Sequence, residues 1–336
     1  MTKRFVWADM IRILAIYGII VLHVLIFPIP RQATLIFQIA ATLAETSVPL
    51  LVMLSGALLL GKQESYTTFF TKRITKVIVP WISWTFFFTA FALYFHQSLS
   101  LGDAAHTFHS IFFPFFWFIV LICALYLITP ALRIFTRVAN TKDLSIVVIL
   151  WFFGLSVIPY IRNTQAFPLS IGDSVVQLTV NFVGYFLIGF LITLIKRQRK
   201  MALIASLIFI ISLFARNYFL TIGRITDISN FIDPGLVIVS VSLFALFYTM
   251  EDWFQKTFTN SVKQILAVIS QAALGIYFVH YLFLNRAPLP MFSFSDSLIH
   301  IADNGYVFSN SFIIFILSFV LIFLLQKIPL IKHLIT

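Results

Sequence analysis

The sequence predicts an all-α protein that crosses a membrane many times as one helix bundle. Of its 336 residues, 60% are hydrophobic and 10% are charged, whereas charged residues make up about 25% of a typical soluble domain. The mean hydropathy is +1.00, and a soluble domain cannot bury that much apolar surface. Apolar segments of about 20 residues, the length that a helix needs to cross a bilayer, recur along the whole chain.

The spacing of these segments predicts ten membrane-spanning helices. They cover residues 8–27, 43–60, 77–95, 111–129, 144–161, 174–195, 201–220, 232–249, 264–285 and 308–326. The connections are short, so we expect a single integral-membrane domain over residues 1–336. The first segment carries Asp9 and Arg12 in its opening turns and lacks a small-residue cleavage pattern, which indicates a retained span and not a signal peptide.

The lysines and arginines are unevenly divided between alternate connections. Seventeen fall on the side of the N-terminus and five, including Arg216, on the other side, to which Glu45 is also assigned. Because positively charged connections stay in the cytoplasm, both termini are expected there. The net charge of +11 then reflects topology and contact with anionic membrane lipids, and nucleic acid is not an expected partner.

The first predicted span, WADMIRILAIYGIIVLHV, carries three polar residues on one helical face. Asp9 and Arg12 are three residues apart, and His23 follows Arg12 by eleven residues, which is three turns plus about 20°. An ionisable group at the bilayer centre costs about 2.5 to 3.5 kcal/mol, so such groups persist mainly in pairs, wet cavities or active sites. The spacing predicts an ion pair near the cytoplasmic surface and an imidazole about 16 Å deeper.

A second histidine, His280, lies in the ninth predicted span. It is about as far from the cytoplasmic end of that span as His23 is from the start of the first. Two histidines at one depth are expected to line a cavity that opens to the outside. A purely structural role, with hydrogen bonds between helices, is the alternative for each of them.

Two basic strings mark the predicted cytoplasmic surface. TKRITK contains Lys72, Arg73 and Lys76, which either anchor the topology or hold the phosphates of a polyanionic nucleotide. KRQRK, residues 196–200, is interpreted as a topology anchor.

Two further positions also have a structural and a functional interpretation. Ser55, beside Gly56, lies in mid-helix, where small residues usually permit close helix packing. Trp117 begins the fourth predicted span, either as part of the interfacial aromatic belt or as a platform that stacks on a sugar ring.

The outer connection before Trp117 contains Asp103, His106 and His109 at a spacing that places them on one helical face. No matching ligand cluster occurs elsewhere in the sequence. We therefore favour a solvated polar face and predict no metal site.

Taken in order, these motifs resemble the membrane acyltransferase 3 family. The matching pieces are WADMIRILAIYGIIVLH, PLLVMLSGALL, FFTKRITKVIVPW, FWFIVLICALYLITP and LGIYFVH. The opening motifs are most similar to the standalone O-acetyltransferase branch, which includes the enterobacterial common antigen O-acetyltransferase. One departure is that Phe115 and Phe116 stand where many members have a histidine before the Trp-Phe pair.

The resemblance implies an enzyme of the bacterial plasma membrane. It implies transfer of an acyl group, commonly acetyl, from cytoplasmic acyl-CoA to a hydroxyl of a surface glycan or lipid-linked saccharide, without a permanently bound cofactor. In that reaction His23 is the expected base, because unperturbed imidazole titrates at about pH 6.5, and Asp9 is expected to fix Arg12.

The resemblance further implies that the remaining candidate residues bind the acyl donor and the acceptor. Phosphates of the donor are expected near Arg12, Lys72, Arg73 and Lys76. The residues expected near the acceptor or the acyl group are His280, Tyr277, Trp117 and Ser55.

A transporter or flippase of polysaccharide precursors is the rival interpretation, with Asp9, Arg12 and His23 as an ion relay. It predicts coupling-ion groups on several helices and repeat symmetry between the two halves. The sequence shows neither feature. A third interpretation is that the protein is a scaffold for a polysaccharide synthase. It does not explain why the polar residues share one helical face.

Overall fold

The computed structural model describes residues 4–25, 34–95, 101–162, 175–222, 230–284, 304–329 and 332–335; within them, the side chains of residues 91–95, 101–115, 304–306 and 332–333 are not described. All regular structure in these ranges is helical. The predicted all-α class is therefore confirmed.

The α-helices of the described residues are named α1 to α15 in chain order. They are α1 (Val6–Leu25), α2 (Leu35–Glu45), α3 (Ser47–Leu59), α4 (Tyr66–Arg73), α5 (Val79–Phe95), α6 (Leu101–Val138), α7 (Thr141–Phe152), α8 (Ile158–Ile161), α9 (Val175–Thr193), α10 (Arg199–Thr221), α11 (Pro234–Thr249), α12 (Glu251–Thr257), α13 (Asn260–Val279), α14 (Asn304–Leu325) and α15 (Lys332–Ile335).

Eight spans among the described residues are long and apolar enough to cross a membrane. They are Val6–Leu25, Leu35–Leu59, Phe116–Val138, Thr141–Ile161, Val175–Thr193, Arg199–Thr221, Asn260–Phe283 and Val307–Leu325. A ninth is possible if α11 and α12, which meet at a bend of 48°, count as one span. The predicted span 77–95 corresponds to α5, which has 17 residues and falls short of that length. The number ten and the cytoplasmic termini stay predictions.

Two short π-helical turns each precede a proline. Ile74–Ile78 leads into Pro80, and Phe153–Val157 leads into Pro159. In both, the residue before the proline donates its N–H to a carbonyl five residues earlier. A proline ring within an α-helix clashes with the carbonyl four residues before it, and the wider turn relieves this clash. The first of these turns contains the end of the TKRITK string.

The chain divides into two compact units. The first comprises Met1–Gln63 and Ile122–Ser270, and the second comprises Glu64–Leu121 and Gln271–Thr336. In the first unit α3 packs along α9, α10 packs along α11, and α1 contacts α2 and α3. In the second unit α5 contacts α15, and the 3-10 turn His280–Phe283 contacts α14. The single domain over residues 1–336 stays a prediction.

Two glycines set the close approach of α3 and α9. A side-chain carbon at Gly56 would overlap the backbone carbonyl of Phe186, and one at Gly189 would overlap the carbonyl of Met53. Each helix thus presents a glycine to the backbone of the other. The packing interpretation is confirmed for Gly56, since only glycine permits this contact.

A buried ion cluster joins α2, α10 and the start of α11 within the first unit. Arg216 is only 1% exposed; its Nη2 contacts the Glu45 carboxylate at 2.5 Å and its Nε donates to Asp233 Oδ1 at 3.0 Å. Its Nη1 donates to Thr42 at 2.7 Å, and the Thr42 hydroxyl donates to Asn217 at 3.4 Å. Charges from three helices are thus paired inside the bundle.

The assignment of Glu45 and Arg216 to outer connections is therefore wrong. Glu45 ends α2, Arg216 lies in α10, and both side chains are buried. The predicted span 43–60 also begins too late, because the apolar span in the structure runs over Leu35–Leu59. A lone Glu45 carboxylate inside a span would carry the full free-energy cost of desolvation. Pairing with Arg216 offsets part of this cost.

Replacing Arg216 with methionine is expected to destabilise the protein strongly. The change leaves Glu45 and Asp233 buried without their counter-charge, and breaking a buried pair in this way costs about 3 to 5 kcal/mol. Thermal unfolding of the purified protein in detergent measures the loss. Arg137→Met, at an exposed arginine of α6, is the control and should unfold like the wild type. An unchanged Tm for Arg216→Met would show that this cluster does not hold the three helices together.

Candidate active site

The start of α1 is fixed by a buried carboxylate from α12. The Glu251 side chain accepts hydrogen bonds from the backbone N–H of Val6 at 3.3 Å and of Trp7 at 2.8 Å. The first N–H groups of a helix have no partner within the helix, and the positive end of its dipole favours a carboxylate. The bend between α11 and α12 therefore delivers a cap that positions the first turn of α1.

Aromatic packing holds the same turn from another direction. The Trp7 indole meets the rings of Phe244 and Tyr248 edge-on, with centroids 5.5 and 5.4 Å apart. Trp7 is 2% exposed. Because capping and packing act on adjacent residues, the polar face that follows along α1 is held in a defined direction.

Asp9 is the centre of a polar cluster at this end of α1. Its carboxylate pairs with Arg4 at 2.6 Å and with Arg12 at 3.3 Å. Ser270 of α13 donates to Asp9 Oδ1 at 2.7 Å and accepts from Arg12 Nη1 at 2.6 Å. Arg4 also donates to the Ala267 carbonyl at 2.8 Å. The predicted Asp9–Arg12 ion pair is present, and it is part of a larger network.

This network carries more positive than negative charge. Two arginines surround one carboxylate, and the side chains of Arg4 and Arg12 are 42% and 31% exposed while that of Asp9 is only 6% exposed. Asp9 and Ser270 hold Arg12 in place without covering it. The two partly exposed arginine side chains are therefore suited to bind an anion such as a phosphate.

His23 lies on the same unbroken helix. Since α1 is continuous from Val6 to Leu25, the rise of 1.5 Å per residue places the imidazole about 16 Å beyond Arg12 on the shared face. The residue is half-buried. Gly18 of the same helix lies against Ala44 of α2.

The second unit contains the other histidine. His280 is 1% exposed, and its Nδ1 lies 3.2 Å from the Ile276 carbonyl oxygen. Because a carbonyl only accepts hydrogen bonds, Nδ1 carries the proton, and the lone pair of a neutral ring belongs to Nε2. His280 thus has the tautomer that a base or hydrogen-bond acceptor needs at Nε2.

Two of the family-like pieces meet beside His280. The Tyr277 ring lies 5.9 Å from the His280 ring and contacts Phe116 and Phe118 at centroid distances of 6.3 and 5.9 Å. The neighbouring Trp117 is half-buried. The FWF piece of α6 and the LGIYFVH piece of α13 therefore form one aromatic cluster, in which Phe116 and Phe118 are more buried than Trp117.

The basic string in the second unit is partly neutralised. Glu64 pairs with Lys72 at 3.1 Å and with Arg73 at 3.6 Å, and the Arg73 guanidinium lies 4.8 Å from the centroid of the Phe69 ring. Lys76 is exposed and forms no ion pair with any residue in the described ranges. A donor phosphate at Lys72 or Arg73 would have to compete with Glu64.

The Ser55 hydroxyl points back along its own helix. It donates to the Leu51 carbonyl at 2.9 Å, a bond that helical serines commonly make. This contact agrees with the packing interpretation of Ser55. Asp103, His106 and His109 lie outside the residues whose side chains the structure describes.

The structure thus sorts the candidates into two groups. Asp9, Arg12 and His23 share α1 in the first unit, where Ser55 also lies. The candidates of the second unit are Lys72, Arg73, Lys76, Trp117, Tyr277 and His280.

Sequence reasoning missed Arg4, Ser270 and Glu251 as parts of the site. Arg4 is five residues before Asp9, a separation that a strict helical face count does not include, and it precedes α1. Ser270 and Glu251 are more than 200 residues away in the sequence, with separations of 261 and 244 from the groups they contact. No local pattern indicates such partners.

Comparison with known proteins places the chain in a family. The model of the acyltransferase 3 family, described as an acyltransferase domain, matches residues 5–327. The match covers α1 to α14 and so includes both groups of candidate residues.

Searches of curated proteins and of solved structures each gave no match. The family model covers nearly the whole chain, and the spans described above account for its apolar composition. The chain therefore belongs to the acyltransferase 3 family and is a multi-pass membrane acyltransferase.

Proposed function

We propose that this enzyme is a standalone O-acyltransferase of the bacterial plasma membrane. It takes an acyl group, acetyl in the first instance, from cytoplasmic acyl-CoA and transfers it to a hydroxyl of a surface glycan or lipid-linked saccharide. The observation that carries the proposal is the polar face of α1. This face has an exposed, positively charged cluster at one end and a histidine about 16 Å further along.

The donor binds with its phosphates at the start of α1. The side chains of Arg4 and Arg12 are partly exposed, and both pair with Asp9. Guanidinium groups bind phosphate oxygens in a fork, which suits a nucleotide with several phosphates. From there an extended pantetheine arm follows the polar face toward His23. The alternative site for the donor phosphates is Lys76 in the second unit.

His23 serves as the base in the transfer step. It accepts the proton of the acceptor hydroxyl as the oxygen attacks the thioester carbonyl. The C–O bond forms, the C–S bond breaks, and the thiolate of coenzyme A leaves and takes up the proton. In the second unit, His280, Tyr277 and Trp117 stay candidates for binding an acceptor, with the Trp117 ring as a face for a sugar. No permanently bound cofactor is required.

Family membership favours this proposal over the transporter or flippase. Members of this family are acyltransferases, and the polar cluster on α1 has a direct use in holding an anionic donor. An ion relay would instead need coupling groups on several helices that an ion can reach, whereas Glu45, Arg216 and Asp233 are at most 3% exposed.

The role of His23 predicts a large loss of activity in His23→Gln. Glutamine keeps a polar side chain of similar size but cannot accept the proton, and removal of a general base typically costs about 100- to 10,000-fold in rate. Transfer of labelled acetyl from acetyl-CoA by purified protein, with an extract of surface glycans as acceptor, measures it. His333→Gln near the C-terminus is the matched control. Full activity of His23→Gln would exclude His23 as the base.

The role of Arg12 predicts a change in donor affinity that depends on the nucleotide. Loss of a charged hydrogen bond is worth about 1.5 to 3 kcal/mol, so Arg12→Gln should raise KM for acetyl-CoA about 10- to 100-fold. KM for acetyl-pantetheine, which lacks the nucleotide phosphates, should not change.

Two comparisons make this test specific. Arg137→Gln controls for loss of a positive charge at an exposed position, and Lys76→Gln tests the basic string of the second unit. An equal rise in KM for both donors in Arg12→Gln would assign Arg12 a structural role. A rise for acetyl-CoA in Lys76→Gln alone would move the donor site to that string.

A further inference from the structure

An apolar groove lies among α7, α9, α10 and α11 of the first unit, and no residue of α1 lines it. Its volume is about 370 Å³, and its walls include Val148, Ile192, Ile204 and Val241. The groove contributes nothing to the transfer reaction described above. Its walls are apolar on all four helices, as expected of a surface that accommodates a hydrocarbon chain.

The hydroxyl groups of the few polar residues on the groove walls are bonded to backbone carbonyls. Ser242 donates to the Ile238 carbonyl, Thr249 donates to its own helix, and Tyr248 donates to the Thr193 carbonyl. Because these hydroxyls are already bonded to backbone oxygens, the groove offers little to water or to a polar ligand. An occupant must therefore be hydrocarbon along the length of the groove.

One end of the groove is bordered by the basic connection KRQRK. Ile195 and Met201, which both line the groove, directly flank residues 196–200. This connection contains four cations and no acid. Among the described residues, none of the four cations forms an ion pair. The groove thus ends in a positive charge that no described carboxylate neutralises.

Arg197 of the KRQRK connection contacts the wall of the groove. Its guanidinium lies 4.4 Å from the centroid of the Tyr248 ring, and Tyr248 is a wall residue. The Arg197 Nε is buried and has no hydrogen-bond partner in the described part of the chain. Stacking on an aromatic face fixes the plane of a guanidinium and leaves its edge available for a phosphate.

We propose that this groove binds one anionic phospholipid, with an acyl chain between α9, α10 and α11 and the phosphate at Arg197. The predicted orientation places this end in the cytoplasmic leaflet, where basic pockets between helices bind anionic headgroups. The four cations select negative charge, and the dry walls select hydrocarbon. KRQRK then has a ligand-binding role besides anchoring the topology. The proposal does not depend on the acyl-transfer reaction.

Native mass spectrometry of the detergent-purified protein tests the site. Phosphatidylglycerol and phosphatidylcholine with the same palmitoyl and oleoyl chains are added separately, and the bound fraction is measured against concentration. We expect one phosphatidylglycerol to bind at least about tenfold more tightly, because its phosphate carries an uncompensated charge. Equal affinity for the two lipids would contradict the proposal.

Two variants with matched controls locate the bound lipid. Arg197→Gln should weaken phosphatidylglycerol binding about tenfold, whereas Arg137→Gln should not weaken it. Ala245→Trp fills the groove and should abolish binding, while Ala202→Trp, on α10 but not on the groove wall, should leave it intact. A wild-type Tm in each variant shows that it is folded.

Other outcomes would overturn the assignment. Unchanged binding in both Arg197→Gln and Ala245→Trp would place the lipid elsewhere. A polyprenyl phosphate that displaces phosphatidylglycerol at equal or lower concentration would identify a carrier lipid as the occupant instead.

Discussion

The carboxylate of Asp9 is the interaction on which the candidate site depends. It is nearly buried at the end of a membrane helix, where an unpaired charge would be costly. Arg4, Arg12 and Ser270 all contact it. Without this carboxylate the two arginines would repel each other and Ser270 would lose its acceptor. The orientation of both guanidinium groups therefore depends on the Asp9 carboxylate, and so does their ability to bind the phosphates of a donor.

A second ion cluster in the same unit has the opposite character. Around Arg216 two carboxylates enclose one guanidinium, and all three side chains are at most 3% exposed. Around Asp9 two guanidinium groups enclose one carboxylate and remain partly exposed. The closed cluster can only hold helices together, whereas the open one keeps positive charge that a ligand can reach. Exposure and the sign of the surplus charge thus separate a structural ion network from a binding site.

The sequence was sufficient for features that depend on local spacing. The shared face of α1, the Asp9–Arg12 pair and the packing role of Gly56 each follow from intervals of a few residues. Family membership likewise followed from short motifs in a fixed order. Contacts between residues far apart in the sequence could not be predicted, such as those of Ser270 with Asp9 and of Glu251 with the start of α1. Glu45 was misplaced because a hydropathy window treats each charge alone, although Arg216 of a distant helix pairs with it.

The proposed role of His23 requires that the polar face of α1 is wet and connected to the donor site as far as His23. Cysteine labelling tests it directly, because Cys123 is the single native cysteine and Cys123→Ser gives a background without thiols. In that background His23→Cys, in membrane vesicles, is treated with a small charged thiol reagent. We predict rapid labelling that a non-hydrolysable acyl-CoA analogue slows and that pantetheine alone slows less. A thiol that the reagent does not reach, or labelling that the analogue leaves unchanged, would contradict it.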